Sequence, residues 1–216
     1  MIKHILVDVD HTLYPRSSNL EPEMIRRINE FVSDYLHISV EEAAELRRNR
    51  DTTQYNSTLE LLQKKYKFKD ELAYFKAIHP TNFTDFFPKN PFLKEMFSKI
   101  NIPCSIFTNS WSVHAENVIN YLEIGKFFNK IYDLRFCDYI GKPDPYSMKK
   151  VLADLRLAPE EVMIIDDAPR TILTFMEMGG KEILVDEYQT HNSENFPAPV
   201  IRKIDDLTKF KELFKL

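Results

Sequence analysis

Only four of the 216 residues are glycine, against about 7% in an average chain. That scarcity excludes the glycine-rich phosphate cradles: neither GxGxxG nor GxxxxGK followed by Ser or Thr occurs. Cysteine is equally thin. Cys104 and Cys137 stand far apart with no CxxC, so no disulfide framework is expected, and both read as small buried hydrophobes in a reducing, cytoplasmic setting. No apolar run approaches the roughly 18 residues of a membrane span, and the opening stretch from Met1 to Asp8 meets carboxylates too early for a signal peptide. Neither sign of charge prevails, since 29 Lys and Arg against 33 Asp and Glu leave a formal net charge of -4. No overall field draws the chain to nucleic acid or to an anionic membrane, so any anion it handles must be met by local charges.

What is present is ordinary globular composition, 44% hydrophobic and 29% charged, in a chain long enough to bury about 70% of its unfolded surface. The length fits one domain with a large insertion. Short β-type apolar runs recur at 5–9, 103–108, 130–134, 162–166 and 182–185 with helical stretches between them, which predicts an α/β fold on a parallel sheet. Helices are predicted from Ser112, from Pro145 to Leu155, and from Pro169 to Met178 ahead of Gly179. Between Pro15 and Pro91 the alternation stops. Ile25, Ile28, Phe31, Val32 and Tyr35 recur at helical spacing, Ser39 with Glu42 makes a capping-box pattern, and Leu59, Leu62 and Tyr66 continue the apolar stripe. Residues 15–89 are therefore expected to form an inserted helical cap domain, and 1–14 with 90–216 the α/β core.

The first apolar run ends in Asp8-Val9-Asp10-His11-Thr12-Leu13. On a strand Asp8 and Asp10 project to the same side, and two crowded carboxylates raise one another's pKa unless a cation separates them. An acidic turn after a strand looks the same, so the pair alone assigns nothing. The second run ends in Thr108, Asn109 and Ser110 just before a helix N-terminus, where backbone N–H groups can receive an anion. Lys142-Pro143 offers a point charge for phosphate, although a lone lysine is commonly solvated. Asp166 and Asp167 close a further strand, and because neighbours on a strand face opposite ways, one is expected to act directly and the other to support it.

In that order, Asp8-Val9-Asp10-His11-Thr12, Thr108, Lys142 and Asp166-Asp167 resemble the four motifs of the haloacid-dehalogenase-like hydrolase superfamily, spread across the chain. The resemblance implies a Rossmann-like parallel sheet with the first strand between the second and fourth, so that the motif-bearing ends meet in the crevice where open α/β sheets bind ligands. It also implies a Mg²⁺-dependent hydrolase of small phosphomonoesters that works through an aspartyl-phosphate. Asp8 would be the nucleophile, Asp10 the general acid and base, and Thr108 and Lys142 the phosphoryl clamp, with Thr12, Asn109 and Ser110 beside it. Mg²⁺ would be held by Asp8, the backbone carbonyl of Asp10 and Asp167, with Asp166 in support. Counting Asp10 as neutral, Asp8, Asp166 and Asp167 outweigh Lys142 by a charge that one Mg²⁺ cancels. The small hydroxyl residue and the Asn or Asp that often follow the acidic pair are Ala168 and Thr171 here, which predicts thinner support for the metal.

Dehalogenases of the superfamily lack the second acid of the first motif, having no alkoxide to protonate, so Asp10 points away from them. Phosphosugar phosphatases and phosphomutases keep that acid and stay open, as does a catalytically silent phosphate-binding scaffold. The stretches Asp10 to Pro15, Phe136-Cys137-Asp138-Tyr139 before Lys142-Pro143, and Ile165-Asp166-Asp167 resemble the pyrimidine 5′-nucleotidase branch. That implies a nucleoside 5′-monophosphate selected by the cap. Tyr14 and Tyr55 are the candidate stacking rings and Asn56 the candidate amide for a base edge. Arg47, Arg48 and Arg50 fit either an anion-steering patch or a solvated helix face. Trp111 and His114 fit the entrance to the site, although a residue such as His114 is more often on a helix surface.

Overall fold

The computed structural model describes residues 1–51, 53–55, 57–192 and 194–213. Its sheet has six strands: β1 His4–Val7, β2 Cys104–Phe107, β3 Phe128–Tyr132, β4 Val162–Asp166, β5 Lys181–Val185 and β6 Val200–Ile201. All neighbouring pairs are parallel and the order is β3-β2-β1-β4-β5-β6, with β1 between β2 and β4 as expected. β1, β2 and β4 are buried along their whole length, which is why they read as unbroken apolar runs. β3 lies at the sheet edge with Asn129 and Lys130 exposed, so its apolar pattern is diluted. β6 is two residues long and gives no pattern to read.

Eight helices occur among the described residues: α1 Leu20–Leu36, α2 Val40–Arg48, α3 Thr58–Tyr66, α4 Glu71–Ile78, α5 Pro91–Lys99, α6 Ser112–Tyr121, α7 Pro145–Leu155 and α8 Pro169–Glu177. None is long and apolar enough to cross a membrane. Their starts are set locally. Ser39 and Glu42 form the expected capping box of α2, while Ser57 caps α3 and Asp70 caps α4. Proline stands at the first turn of α5, α7 and α8, with Asn90 capping α5 and Asp144 capping α7.

The chain divides into two compact units, Met1–Ser18 with Phe87–Leu216, and Asn19–Phe86. In the second, α1 packs against α2 and α4, and Phe31, Phe68 and Tyr74 meet edge to face. In the first, strand alternation sends Leu6, Phe107, Tyr132, Val162, Ile164 and Leu184 into one core with α7 and α8, where Met148, Val151, Ile172 and Phe175 meet them. Each such side chain contributes about 1.5–3 kcal/mol on burial. Cys137 lies in this core and Cys104 is buried in β2; both are free thiols, as expected.

Candidate active site

The strand register builds the site. Val7 pairs with Ile106 on one side and Ile165 on the other, which brings Asp8, the next residue, level with the ends of β2 and β4. The Asp8 N–H donates to Ile165 O at 2.9 Å, and Asp166 continues the face of β4 on which Ile164 lies. Lys142 enters from the loop before α7 and is buried. Its Nζ stands 2.9 Å from Asp8 Oδ1, 2.6 Å from Asp166 Oδ2 and 2.7 Å from Phe107 O. Asn109 fixes that loop: its Nδ2 donates to Lys142 O and its Oδ1 accepts from Lys142 N, both at 2.8 Å. Gly141 makes the approach possible, because a Cβ there would lie 2.5 Å from Asn109 Oδ1.

Asp8, Asp10, His11, Arg16, Asn109, Lys142, Asp166, Asp167 and the start of α8 line a cavity of about 550 Å³. The crowding of carboxylates differs from the sequence expectation. β1 ends at Val7 and residues 10–13 form a turn, so strict alternation does not extend to Asp10. The close set is instead Asp8, Asp166 and Asp167, each offering an oxygen within 4.8 Å of the others. Burial pushes Asp8 well above the usual carboxylate range, opposed by Lys142 and reinforced by Asp166, Asp10 and Asp167. Burial likewise raises Asp166 against the pull of Lys142. Burial by itself lowers the pKa of Lys142, but Asp166 and Asp8 outweigh it and keep the amine charged.

Asp10 was expected to be neutral and is held as a carboxylate. Tyr14 Oη donates to its Oδ1 at 2.6 Å, His114 Nε2 stands 2.8 Å from the same oxygen, and Ser110 Oγ donates to Oδ2. Burial would raise its pKa, but the attraction of His114 and these hydrogen bonds prevail and hold it far below the usual range. Asp167 is also depressed. Burial opposes this, and hydrogen bonds with His11 and Arg16 overcome it, with Arg16 Nη2 at 2.5 Å and His11 Nδ1 at 3.4 Å. A cluster of three hard oxygen donors with a raised Asp8 fits a small divalent cation of the Mg²⁺ type, which would favour the ionised form.

Other expected residues take different stations. Ser110 turns its hydroxyl to Asp10 and its N–H to Thr108 Oγ1 at 3.0 Å, so both of its donors serve the protein. Thr108 is buried and does not line the cavity. Thr12 is buried beside a second cavity of about 450 Å³, as is Tyr14. The Tyr14 ring stacks on Phe87, centroids 4.6 Å apart and 7° from parallel, which occupies one face of the ring expected to receive a base. Tyr55 is half-buried in the Asn19–Phe86 unit, its carbonyl accepting from Arg50 Nε at 3.3 Å, and Asn56 lies outside the described residues. Arg47 bonds Asn29 and Arg50 bonds the Arg47 carbonyl, whereas Arg48 is exposed. Trp111 is buried ahead of α6.

Two contributors, Arg16 and Asp133, are absent from the sequence reading, and a third, His114, was placed only at the entrance or on a helix surface. His114 is fully buried, and its spacing with Ala115, Val118 and Ile119 was a legible sign that this face of α6 points inward. Arg16 carried no pattern. Asp133, after β3, caps α6 through Ser112 N at 3.1 Å, a role invisible without the strand order.

A family model described as haloacid dehalogenase-like hydrolase matches residues 2–179. The enolase-phosphatase E1 of Persephonella marina is 25% identical over 229 residues, an alignment that covers 96% of this chain and 99% of that one. Among solved structures, a HAD phosphatase from Thermococcus onnurineus is similar with a TM-score of 0.64 at 15% identity, covering 100% of both chains. A 2-haloacid dehalogenase from Pseudomonas syringae pv. Tomato DC3000 gives a TM-score of 0.61 at 16% identity, covering 97% of each. At these identities the structural likeness speaks for the fold alone.

Proposed function

The chain belongs to the haloacid dehalogenase-like hydrolase family, and from that footing we propose that it hydrolyses phosphomonoesters through a phosphorylated Asp8. The observation that carries the reading is Asp10 beside Asp8 in one cavity, each with its own environment: one carboxylate paired with a lysine, the other with three hydrogen-bond partners. A carbon–halogen bond breaks without a proton, whereas an alkoxide leaving group needs one. The phosphatase named among the relatives, matched over nearly the full length of both chains, supports the same choice.

In the proposed cycle an Asp8 oxygen attacks phosphorus, the bond from phosphorus to the ester oxygen breaks, and Asp10 delivers a proton to the departing alkoxide. Water then attacks the acyl phosphate. Asp10 takes the water's proton, inorganic phosphate leaves and Asp8 is restored. Asp10 is thus regenerated as an acid at the end of each turnover; its surroundings in the free protein favour the carboxylate, so the proton for the first turnover is taken up from solvent as the substrate binds. Lys142 balances charge at the nucleophile and Asn109 fixes the loop that carries Lys142. Asp8, Asp167 and Asp166 would hold Mg²⁺, which when bound neutralises the carboxylate cluster and draws the phosphoryl oxygens to it.

The substrate class proposed is the nucleoside 5′-monophosphates, on the resemblance of residues 10–15, 136–139, 142–143 and 165–167 to the pyrimidine 5′-nucleotidase branch, with the helical unit 19–86 acting as the selecting cap. The core residues meet only the phosphoryl group, which every monoester shares, so selection falls to residues outside them. The test is release of phosphate from nucleotides, sugar phosphates and aryl phosphates, and of halide from 2-haloacids, with Asp8→Asn as the blank. Phosphate release led by nucleotides is expected. Halide release or a flat panel contradicts the phosphatase reading, and a preference for sugar phosphates contradicts the substrate class.

A further inference from the structure

Both carboxylate oxygens of Asp10 are anchored by groups that do not line the Asp8 cavity. Tyr14 is 4% exposed, its ring locked by stacking on Phe87, and its hydroxyl meets Oδ1. His114 is fully buried in the first turn of α6, seated by the same inward face as Ala115 and Val118, and its Nε2 meets that oxygen too. Ser110, in the segment after β2, holds Oδ2. Asp10 itself lines the cavity with 27% of its side chain exposed. The donors therefore reach no substrate there, and they act through Asp10.

We propose that Tyr14, Ser110 and His114 are positioning residues that fix the Asp10 carboxyl for proton exchange with the leaving group, an inference that rests on the reading of Asp10 as acid and base. A carboxyl on a freely turning bond samples many orientations, and proton transfer needs a heavy-atom approach of about 2.6–3.2 Å. Three donors from three chain segments remove that freedom. A carboxylate accepting from His114 requires a ring proton on Nε2, so the contact fixes how the imidazole and the carboxyl face one another.

The signature is dependence on the leaving group. An alkoxide demands its proton during bond breaking, while a nitrophenolate leaves without one. The experiment measures kcat and KM for an alkyl phosphate and for p-nitrophenyl phosphate, with Mg²⁺ present, in Tyr14→Phe, Ser110→Ala, His114→Leu and His114→Gln. Asp10→Asn is the reference and is expected to lose about 10²- to 10⁴-fold in kcat on the alkyl ester and far less on the aryl ester. Each positioning variant is expected to lose about tenfold more kcat on the alkyl than on the aryl ester, with KM moving little. His114→Gln, which restores an N–H donor, should recover most of what His114→Leu loses.

Tyr14→Phe and Ser110→Ala each delete one hydroxyl, so the comparison survives even if His114→Leu does not fold. Equal losses on the two esters, or a change in KM alone, overturn the proposal. If Asp10→Asn shows the contrast and the positioning variants do not, only this inference falls. If Asp10→Asn itself shows none, the reading of Asp10 falls with it.

Discussion

Lys142 and Asp166 form a buried ion pair, Nζ to Oδ2 2.6 Å, with 3% and 1% of the two side chains exposed. The same ammonium holds Asp8 at 2.9 Å, so removing it strands two carboxylates away from water. Lys142→Ala is expected to cost roughly 3–5 kcal/mol in urea denaturation and to abolish turnover. Replacing both partners, Lys142→Met with Asp166→Leu, should recover only the share of the loss due to Asp166, since Asp8 stays buried without its ammonium, and none of the activity. A single variant as stable as the parent contradicts this account of the pair.

Gly141→Ala tests the link between Asn109 and the lysine loop. The added methyl would lie 2.5 Å from Asn109 Oδ1 and 3.0 Å from Leu134 Cδ1, so the paired hydrogen bonds between Asn109 and Lys142 must break or shift. The expected cost is about 1–3 kcal/mol, with kcat falling in step as Lys142 loses its placement. Full activity in Gly141→Ala shows that the loop is set by other contacts.

Much of this arrangement was legible in the chain. Asp8, Lys142, Asp166 and Asp167 stand at strand ends or in the loop beyond them, and apolar runs flanked by Pro and Asp announce such places without any tertiary knowledge. What escaped were partnerships across sequence distance. Ser110 was expected to face substrate because it precedes a helix N-terminus and Tyr14 because its ring can stack a base, whereas the hydroxyls of both meet Asp10, a placement made by the turn after β1. His114 fitted the entrance or a helix surface by its polarity, while its helical spacing with Ala115 and Val118 carries the sign of the buried face it occupies. Arg16, beside Asp167, has no signature that separates it from any arginine in a turn.

Arg16 and a divalent cation would share Asp167. Chelation is expected to silence turnover reversibly, and Mg²⁺ or Mn²⁺ to restore it, as an all-oxygen donor set requires. Arg16→Ala removes the competing guanidinium, so half-activation should need less Mg²⁺ than in the parent. A higher requirement would show that Arg16 supports the metal site.

The pH dependence of stability has a clear sign at Glu23, in the first turn of α1. Hydrogen bonds from Arg26 and then Arg27 pull its carboxyl down to about 2, against a small contribution from burial. A depressed acid contributes stability above its unfolded pKa, near 4.5, and that contribution is lost as the pH falls towards 2. Glu23→Gln should cost at most about 1 kcal/mol at pH 7, since the pairs are near the surface, with the gap narrowing in denaturation curves taken at successively lower pH below 5. A gap that widens on acidification contradicts the assignment.

The central claim is that Asp8 carries the phosphoryl group. Its most direct measurement is acid quenching of the protein during turnover of a phosphomonoester with Mg²⁺, reduction of any acyl phosphate by borohydride, and peptide mapping. The account predicts reduction of Asp8 to homoserine in the wild type, none at Asp10, Asp166 or Asp167, and none in Asp8→Asn, which should release no phosphate. Modification at a different carboxylate, or phosphate release that persists in Asp8→Asn, would contradict it.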